Sequence, residues 1–210
     1  MKIVVFGASG KTGQLIVEQA LQAGHEVVAY VRRPGSLNST NQSLQIVVGS
    51  LTDFNRIKSA ISGAEVCISS LGGNSLSKHA TEFMEGIGTI LKAMKEEKVK
   101  RIIYLSSLGA GDSSELMTQP FRFFIVNVLL RVPLADHTTN EQRISQSSLN
   151  FTLVRPGGLT DGPLKVALKH GTEKVIVKNS PTISRASVAA FILSLLNSDT
   201  YLNKGVWVYE

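Results

Sequence analysis

The stretch Val4-Val5-Phe6-Gly7-Ala8-Ser9-Gly10-Lys11-Thr12-Gly13 decides how the rest of the chain is read. Three apolar residues run into a glycine, two more glycines follow at third-residue spacing, and an amphipathic run from Gln14 to Gln22 begins at once. The pattern predicts a buried strand, a tight turn and a helix with an open N-terminus. Exposed backbone N–H groups and the positive end of the helix dipole attract a phosphate there. Gly7 suits the turn, Gly10 lets a pyrophosphate approach the backbone, and Gly13 lets the helix pack closely on the strand. Glycines at this spacing also mark ordinary turns. The overlapping Gly10-Lys11-Thr12 looks like the tail of a nucleoside-triphosphate loop, but that loop's first glycine would fall at Val5, inside the strand. The spacing excludes it.

The chain's 210 residues suffice for one well-buried domain and are few for two. The formal net charge is +6, yet lysines and arginines are scattered, with no basic patch for nucleic acid. The balance is either a solvated basic surface or an attraction for an anionic nucleotide or substrate. Cys67 is the single cysteine, sits in an apolar run and reads as core, so a reducing cytoplasm is the expected compartment. A strand is expected from the first residues, so no signal peptide is expected. The longest greasy stretch, Phe121 to Leu134, contains Arg122, Arg131 and Pro133 and is too short to span a bilayer. Neither a membrane nor a metal is expected.

Continuous apolar runs alternate with helical patterns along the chain. Strands are expected at Lys2–Phe6, Glu26–Val31, Leu44–Val48, Val66–Ser70, Arg101–Leu105, Phe151–Arg155, Lys174–Val177 and Val206–Tyr209. Helices are expected over Thr12–Ala23, from an Asp53 cap to Ile61, and over Ala80–Glu97, Phe121–Leu130, Asp136–Ser147 and Arg185–Leu196. Gly24 and Gly63 are placed to stop the first two. Strands that are apolar throughout belong to a parallel sheet covered on both faces. The expected fold is α/β, a doubly wound parallel sheet of Rossmann type in one domain. The last strand is expected to be exposed, with the chain a monomer or a weak homo-oligomer.

In doubly wound sheets the ligand sits beyond the carboxyl ends of the strands. Each end here carries something informative: Gly7–Gly13, Arg32-Arg33, Ser50-Leu51, Ser70-Leu71-Gly72, Ser106–Gly109 and Pro156-Gly157-Gly158-Leu159. The candidate cofactor-binding residues are therefore Gly7, Ser9, Gly10, Lys11, Thr12, Gly13, Arg32, Arg33, Ser50, Leu51, Ser70, Leu71, Gly72, Ser106, Pro156, Gly157, Gly158 and Leu159. An acidic residue at the end of strand two would accept hydrogen bonds from a ribose 2′-hydroxyl and select NAD. This chain has Arg32 and Arg33 instead, and a guanidinium pairs bidentately with a 2′-phosphate, so NADP(H) is expected over NAD(H). Lys11 would add positive charge beside the phosphates, or face solvent.

With these residues assembled, the chain from Lys2 to about Tyr209 resembles the atypical short-chain dehydrogenase/reductase superfamily. More narrowly it resembles the NAD(P)H-binding branch that holds flavin reductase (biliverdin-IXβ reductase) and the NmrA-like proteins. Its marks are Phe6–Gly13, Val31-Arg32, Val47-Val48-Gly49, Asn74-Ser75-Leu76-Ser77, Ala93-Met94-Lys95, Leu105-Ser106-Ser107, Val154-Arg155-Pro156-Gly157-Gly158-Leu159-Thr160 and Ile183-Ser184-Arg185. These motifs are specific for fold and cofactor and much less so for substrate.

The resemblance also names the candidate chemistry. Typical members supply a proton from Tyr-x-x-x-Lys on the helix after strand five. Counting back from Arg155-Pro156, that pair falls at Pro133 and His137, so the tyrosine is missing. Reduction of simple ketones by a tyrosine acid is thereby disfavoured. His137 either replaces the lysine or is an exposed helix histidine. Ser107 matches the serine that lines the acceptor pocket of the flavin-reductase-like members. Those members carry a second histidine where this chain has Gly157. The candidate catalytic residues are Ser107 and His137.

Flavins, quinones and tetrapyrrole-like rings suit such a site, because they accept a hydride at a position whose proton bulk water can supply. Phe121, Phe123 and Phe124 either wall an aromatic pocket or pack as core. The acceptor side is expected in segments 107–137 and 156–182. Two rivals remain: a non-catalytic NADP(H) sensor of the NmrA-like kind, and an epimerase, for which the region after strand six leaves little room.

Overall fold

A computed structural model describes residues 1–73, 75–119, 124, 128–176 and 181–210. The first half alternates strictly: β1 (Lys2–Phe6), α1 (Lys11–Gln22), β2 (Glu26–Val31), β3 (Leu44–Val48), α2 (Phe54–Ile61), β4 (Val66–Ser69), α3 (Thr81–Glu96) and β5 (Arg101–Leu105). A 3-10 helix, Gly111–Leu116, comes next. The chain continues as α4 (Arg131–Ser145), β6 (Asn150–Pro156), β7 (Gly158–Thr160), β8 (Lys169–Gly171), β9 (Thr182–Ser184), α5 (Arg185–Ser194) and β10 (Lys204–Tyr209).

Eight strands form one sheet in the order β3-β2-β1-β4-β5-β6-β10-β8, parallel throughout except for β8, which runs antiparallel to β10. The short strands β7 and β9 pair separately. Residues Ile3 to Phe6 are fully buried because both faces of β1 are covered. One core joins alternate strand residues such as Val5 and Ile68 to Ile16 and Val17 of α1 and Val188 and Ile192 of α5. The other joins Val4, Phe6 and Tyr104 to Ile57 of α2, Ile87 and Ile90 of α3, and Ile144 of α4. This is the doubly wound Rossmann-type single domain. Among the described residues no helix is long and apolar enough to cross a membrane, and no cluster of three His, Cys, Asp or Glu is placed to hold a metal.

Local signals behave as their chemistry requires. Asp53 caps α2, its carboxylate accepting from the Arg56 N–H at 3.0 Å. Gly24 and Gly63 take positive φ values of 79° and 71° just past the C-cap residues Ala23 and Ser62 of α1 and α2, the left-handed region that ends helices. Cys67 is buried, and burial pushes its thiol pKa up, so it is inert core.

Three expectations are corrected. The strand expected at Lys174–Val177 is absent from residues 174–176, where Ile176 is 66% exposed; the edge strand lies earlier, at Lys169–Gly171. The last strand is not exposed: β10 is inserted between β6 and β8, with Val206 and Val208 fully buried. Helix α4 starts at Arg131, five residues before Asp136, with Pro133 in its first turn, where a missing N–H costs no hydrogen bond. The helix expected over 121–130 lies largely outside the described residues, as do Asn74, Phe121, Phe123 and Val177. Phe124 is described and is 57% exposed, so it is not core.

Candidate functional site

The sheet order reverses at β1: the chain runs outward through β2 and β3, then returns to place β4 on the other side. Such a switch point leaves a crevice beyond the carboxyl ends of the two central strands. Gly7 has φ +77°, and a Cβ on it would lie 2.9 Å from the Ser70 carbonyl at the end of β4. A Cβ on Gly13 would lie 2.1 Å from the Gly7 oxygen, so turn and helix meet with no room for a side chain. Gly10 caps α1 through its extended backbone, without a side-chain cap, and its own N–H donates to the Gly7 oxygen at 3.0 Å. Among the described residues no side chain caps the first N–H groups of α1, as a phosphate seat requires.

A cleft of about 650 Å³ opens here. Gly7, Ser9 and Gly10 line it from the turn, and Arg32 and Arg33 from the end of β2. Leu51 closes it beyond β3, and Ser70, Leu71 and Gly72 beyond β4. A Cβ on Gly72 would meet nothing within 4 Å, and one on Gly10 only the Gly7 oxygen at 3.3 Å, so bare backbone faces open space at both. A dinucleotide fits this cradle in size and in donor chemistry.

The other expected cofactor residues stand elsewhere. Thr12 and Gly13 are buried under the turn. Lys11 reaches Asp161, 2.8 Å away, and Asp161 also pairs with Arg185 at the start of α5. The hydrogen bond from Lys11, helped by the Arg185 charge, holds the Asp161 carboxyl below its usual range. The Ser50 carbonyl accepts from the Tyr30 hydroxyl at 2.8 Å. Ser106 and Pro156, Gly157, Gly158 and Leu159 lie at the ends of β5 and β6, on the far side of β4 from this cleft. A Cβ on Gly157 would lie 2.5 Å from the Pro181 oxygen, so the position occupied by histidine in the flavin-reductase-like members is closed to any side chain here.

The structure does not bring Ser107 to His137 by any hydrogen bond among the described residues; the Ser107 hydroxyl donates to the neighbouring Leu108 carbonyl at 3.3 Å. His137 is not an exposed surface histidine. Its Nδ1 lies 2.8 Å from the Tyr104 hydroxyl, and the Phe83 ring meets it edge-on at 5.5 Å between centroids. Burial pushes its pKa down to about 4 against the opposing pull of the Asp136 charge. Burial likewise pushes the Tyr104 phenol well above its ordinary value, so both partners are neutral near pH 7. Asn140, one turn beyond His137, is fully buried beside the Tyr104 hydroxyl, and among the described residues neither its amide atoms nor the buried hydroxyls of Ser69 and Ser106 have a hydrogen-bond partner of good geometry. Ser69 stands opposite Tyr104 in register, and Ser106 follows Tyr104 on the same face. These groups make a buried polar cluster between β4, β5 and α4.

Sequence reasoning missed several neighbours. Asp136 is buried on α4 and accepts from the Ala80 N–H at 2.8 Å while its other oxygen meets His79 Nδ1. Glu82, in the first turn of α3, pairs with Arg32 at 3.1 Å. Glu141 is occupied structurally: it takes Arg155 in a two-point pair at 2.9 and 2.7 Å, with Asp112 on the remaining guanidinium nitrogen. Each pair joins residues too distant in sequence for a local pattern to reveal.

A family model described as NAD(P)H-binding matches residues 7–199. The chain belongs to the NAD(P)H-binding family. Within reach of it, UPF0659 protein YMR090W of Saccharomyces cerevisiae is 29% identical, covering 98% of this chain and 92% of the relative. YwnB of Bacillus subtilis is 24% identical, covering 97% and 96%. Among solved structures, ChuY, an anaerobilin reductase from Escherichia coli O157:H7, superposes with a TM-score of 0.81 at 25% identity, over 100% of this chain and 97% of its own. A short-chain dehydrogenase/reductase from Veillonella parvula in complex with NADP shares the fold, with a TM-score of 0.82 at 19% identity over 100% and 94%. The family's oxidoreductase-like Rossmann fold thus agrees with the cleft's position and lining.

Proposed function

We propose that the protein is an NADPH-dependent reductase of a planar acceptor: a tetrapyrrole-like ring first, then a flavin or a quinone. One observation carries the choice of acceptor. The count back from Arg155-Pro156 puts Pro133 where the tyrosine acid would be, and His137, one helical turn on, is half-buried and neutral, desolvation pushing its pKa down to about 4. A site without a strong acid suits acceptors whose proton bulk water supplies. The likeness to ChuY, an anaerobilin reductase, supports placing tetrapyrroles first.

Reduced nicotinamide, when bound, supplies the hydride. The chain's own residues bind and orient. The backbone from Gly7 to Gly10 seats the pyrophosphate, and Arg32 and Arg33 take the 2′-phosphate. Ser106, Ser107 and the Pro156–Leu159 turn border the nicotinamide end, with His137 and Tyr104 holding a fixed polar contact beneath it. Segments 107–137 and 156–182 form the acceptor side.

The test mixes the protein with NADPH and follows the reduced-nicotinamide absorbance with biliverdin, FMN, riboflavin and a small quinone in turn. Loss of absorbance with one of them is the expected result. Changing Arg32 and Arg33 together to Ala should raise the KM for NADPH strongly and leave NADH nearly untouched; equal effects on both would remove the NADP preference. A second reading, a non-catalytic NADP(H) sensor, is favoured by Gly157, whose crowding by Pro181 leaves no place for a second histidine. Tight NADPH binding with no turnover of any acceptor would select it.

A further inference from the structure

The end of β2 carries no acidic residue, yet the structure brings one to it from another element. Glu82 Oε2 lies 3.1 Å from Arg32 Nη1, and both side chains line the cleft, 44% and 57% exposed. The position of Glu82 is set by its helix: it sits in the first turn of α3, and Asp136 of α4 holds the preceding backbone through Ala80. The Arg32 guanidinium therefore has an anionic partner already in place.

We infer that Glu82 sets the balance between the two nicotinamide cofactors at this site. The inference rests on the reading of the cleft as a dinucleotide seat. A 2′-phosphate and the Glu82 carboxylate are both anions that compete for one guanidinium fork, so NADPH must displace Glu82 and then tolerate its charge nearby. A ribose 2′-hydroxyl meets no such conflict. It can donate to Glu82, the hydrogen bond that an acid at the end of β2 makes in NAD-selective sites. Arg33 lines the same wall and has no ion-pair partner among the described residues, which keeps NADPH binding possible at all. The chain is thus built to accept both cofactors, with α3 rather than β2 supplying the hydroxyl acceptor.

The experiment titrates wild type, E82Q, R32A and R32A/E82Q with NADPH and with NADH at low salt, reading reduced-nicotinamide fluorescence. E82Q should tighten NADPH by about three- to tenfold, the size expected when an exposed ion pair and its repulsion of a nearby phosphate are removed. NADH should bind unchanged or more weakly. The NADPH gain should be smaller in the Arg32→Ala background, where only the repulsion is relieved, and should shrink as salt rises. A shift equal for both cofactors, no shift, or a gain undiminished by the loss of Arg32 overturns the inference. Failure of wild type to bind either cofactor overturns the reading of the cleft itself, and this inference with it. Both positions are exposed, so melting temperatures should match wild type.

Discussion

The Tyr104 hydroxyl on β5 lies 2.8 Å from Nδ1 of His137 on α4, two neutral groups facing each other beneath the carboxyl edge of the sheet. Burial holds the histidine at about 4, below its ordinary 6.5. Between those values the unfolded chain binds a proton at this residue and the folded chain does not. Stability therefore rises with pH through that window and is lost as pH falls from about 6.5 to about 4. Thermal melts across this range should show the slope in wild type and a flatter one in H137Q. An identical slope in both would assign the acid sensitivity to another group.

Gly10 and Gly13 of the opening turn should respond differently to alanine. Gly13→Ala drives a methyl to 2.1 Å from the Gly7 oxygen, backbone against backbone, so it should destabilise the fold by several kcal/mol, as overpacking does when nothing can move. Gly10→Ala meets that oxygen only at 3.3 Å and should melt within a few degrees of wild type while losing NADPH affinity. Melting and fluorescence titration of both variants separate the packing role from the binding role.

Arg155 is largely buried, and its two-point partner Glu141 is more buried still. Glu141→Ala leaves an uncompensated charge inside the protein and should cost about 3–5 kcal/mol in urea unfolding. Asp112 touches the same guanidinium from a side chain that is 76% exposed, and Asp112→Ala should cost less than about 1 kcal/mol. Similar losses from both would mean that Glu141 is not the partner that matters.

Asp136 binds the Ala80 N–H and His79 at once, fixing the entry to α3. Asp136→Ala should leave those groups unpaired, cost about 1–3 kcal/mol and raise amide exchange in the first turn of α3. Exchange confined to α4 would show that the contact does not hold α3.

What was legible in the sequence follows from range. The boundaries of β2 and β3 coincide with their apolar runs, and Asp53 caps α2, because strand burial and capping are decided within a few residues. The edge strand is not legible because its residues, Lys169-His170-Gly171, carry no apolar signal, whereas Val175 and Ile176 do and stand exposed. The glycine turn and the two arginines are visible as motifs. Glu82 is not: fifty residues separate it from Arg32, and only the folded cleft that both line brings them together. Tyr104 was hidden for a related reason, being one aromatic in an apolar strand until α4 brings His137 onto its hydroxyl.

Asp136 and His137 are consecutive residues of one rigid helix, the first gripping the wall of the cofactor cleft and the second facing the buried polar cluster. The cofactor cleft and the buried polar groups therefore share one helix. Any ligand that shifted α4 from the buried side would change cofactor affinity by the same factor by which the cofactor changed that ligand's affinity, because coupling free energy is reciprocal. Order of addition then changes the rates at which the ternary complex assembles and leaves its stability untouched.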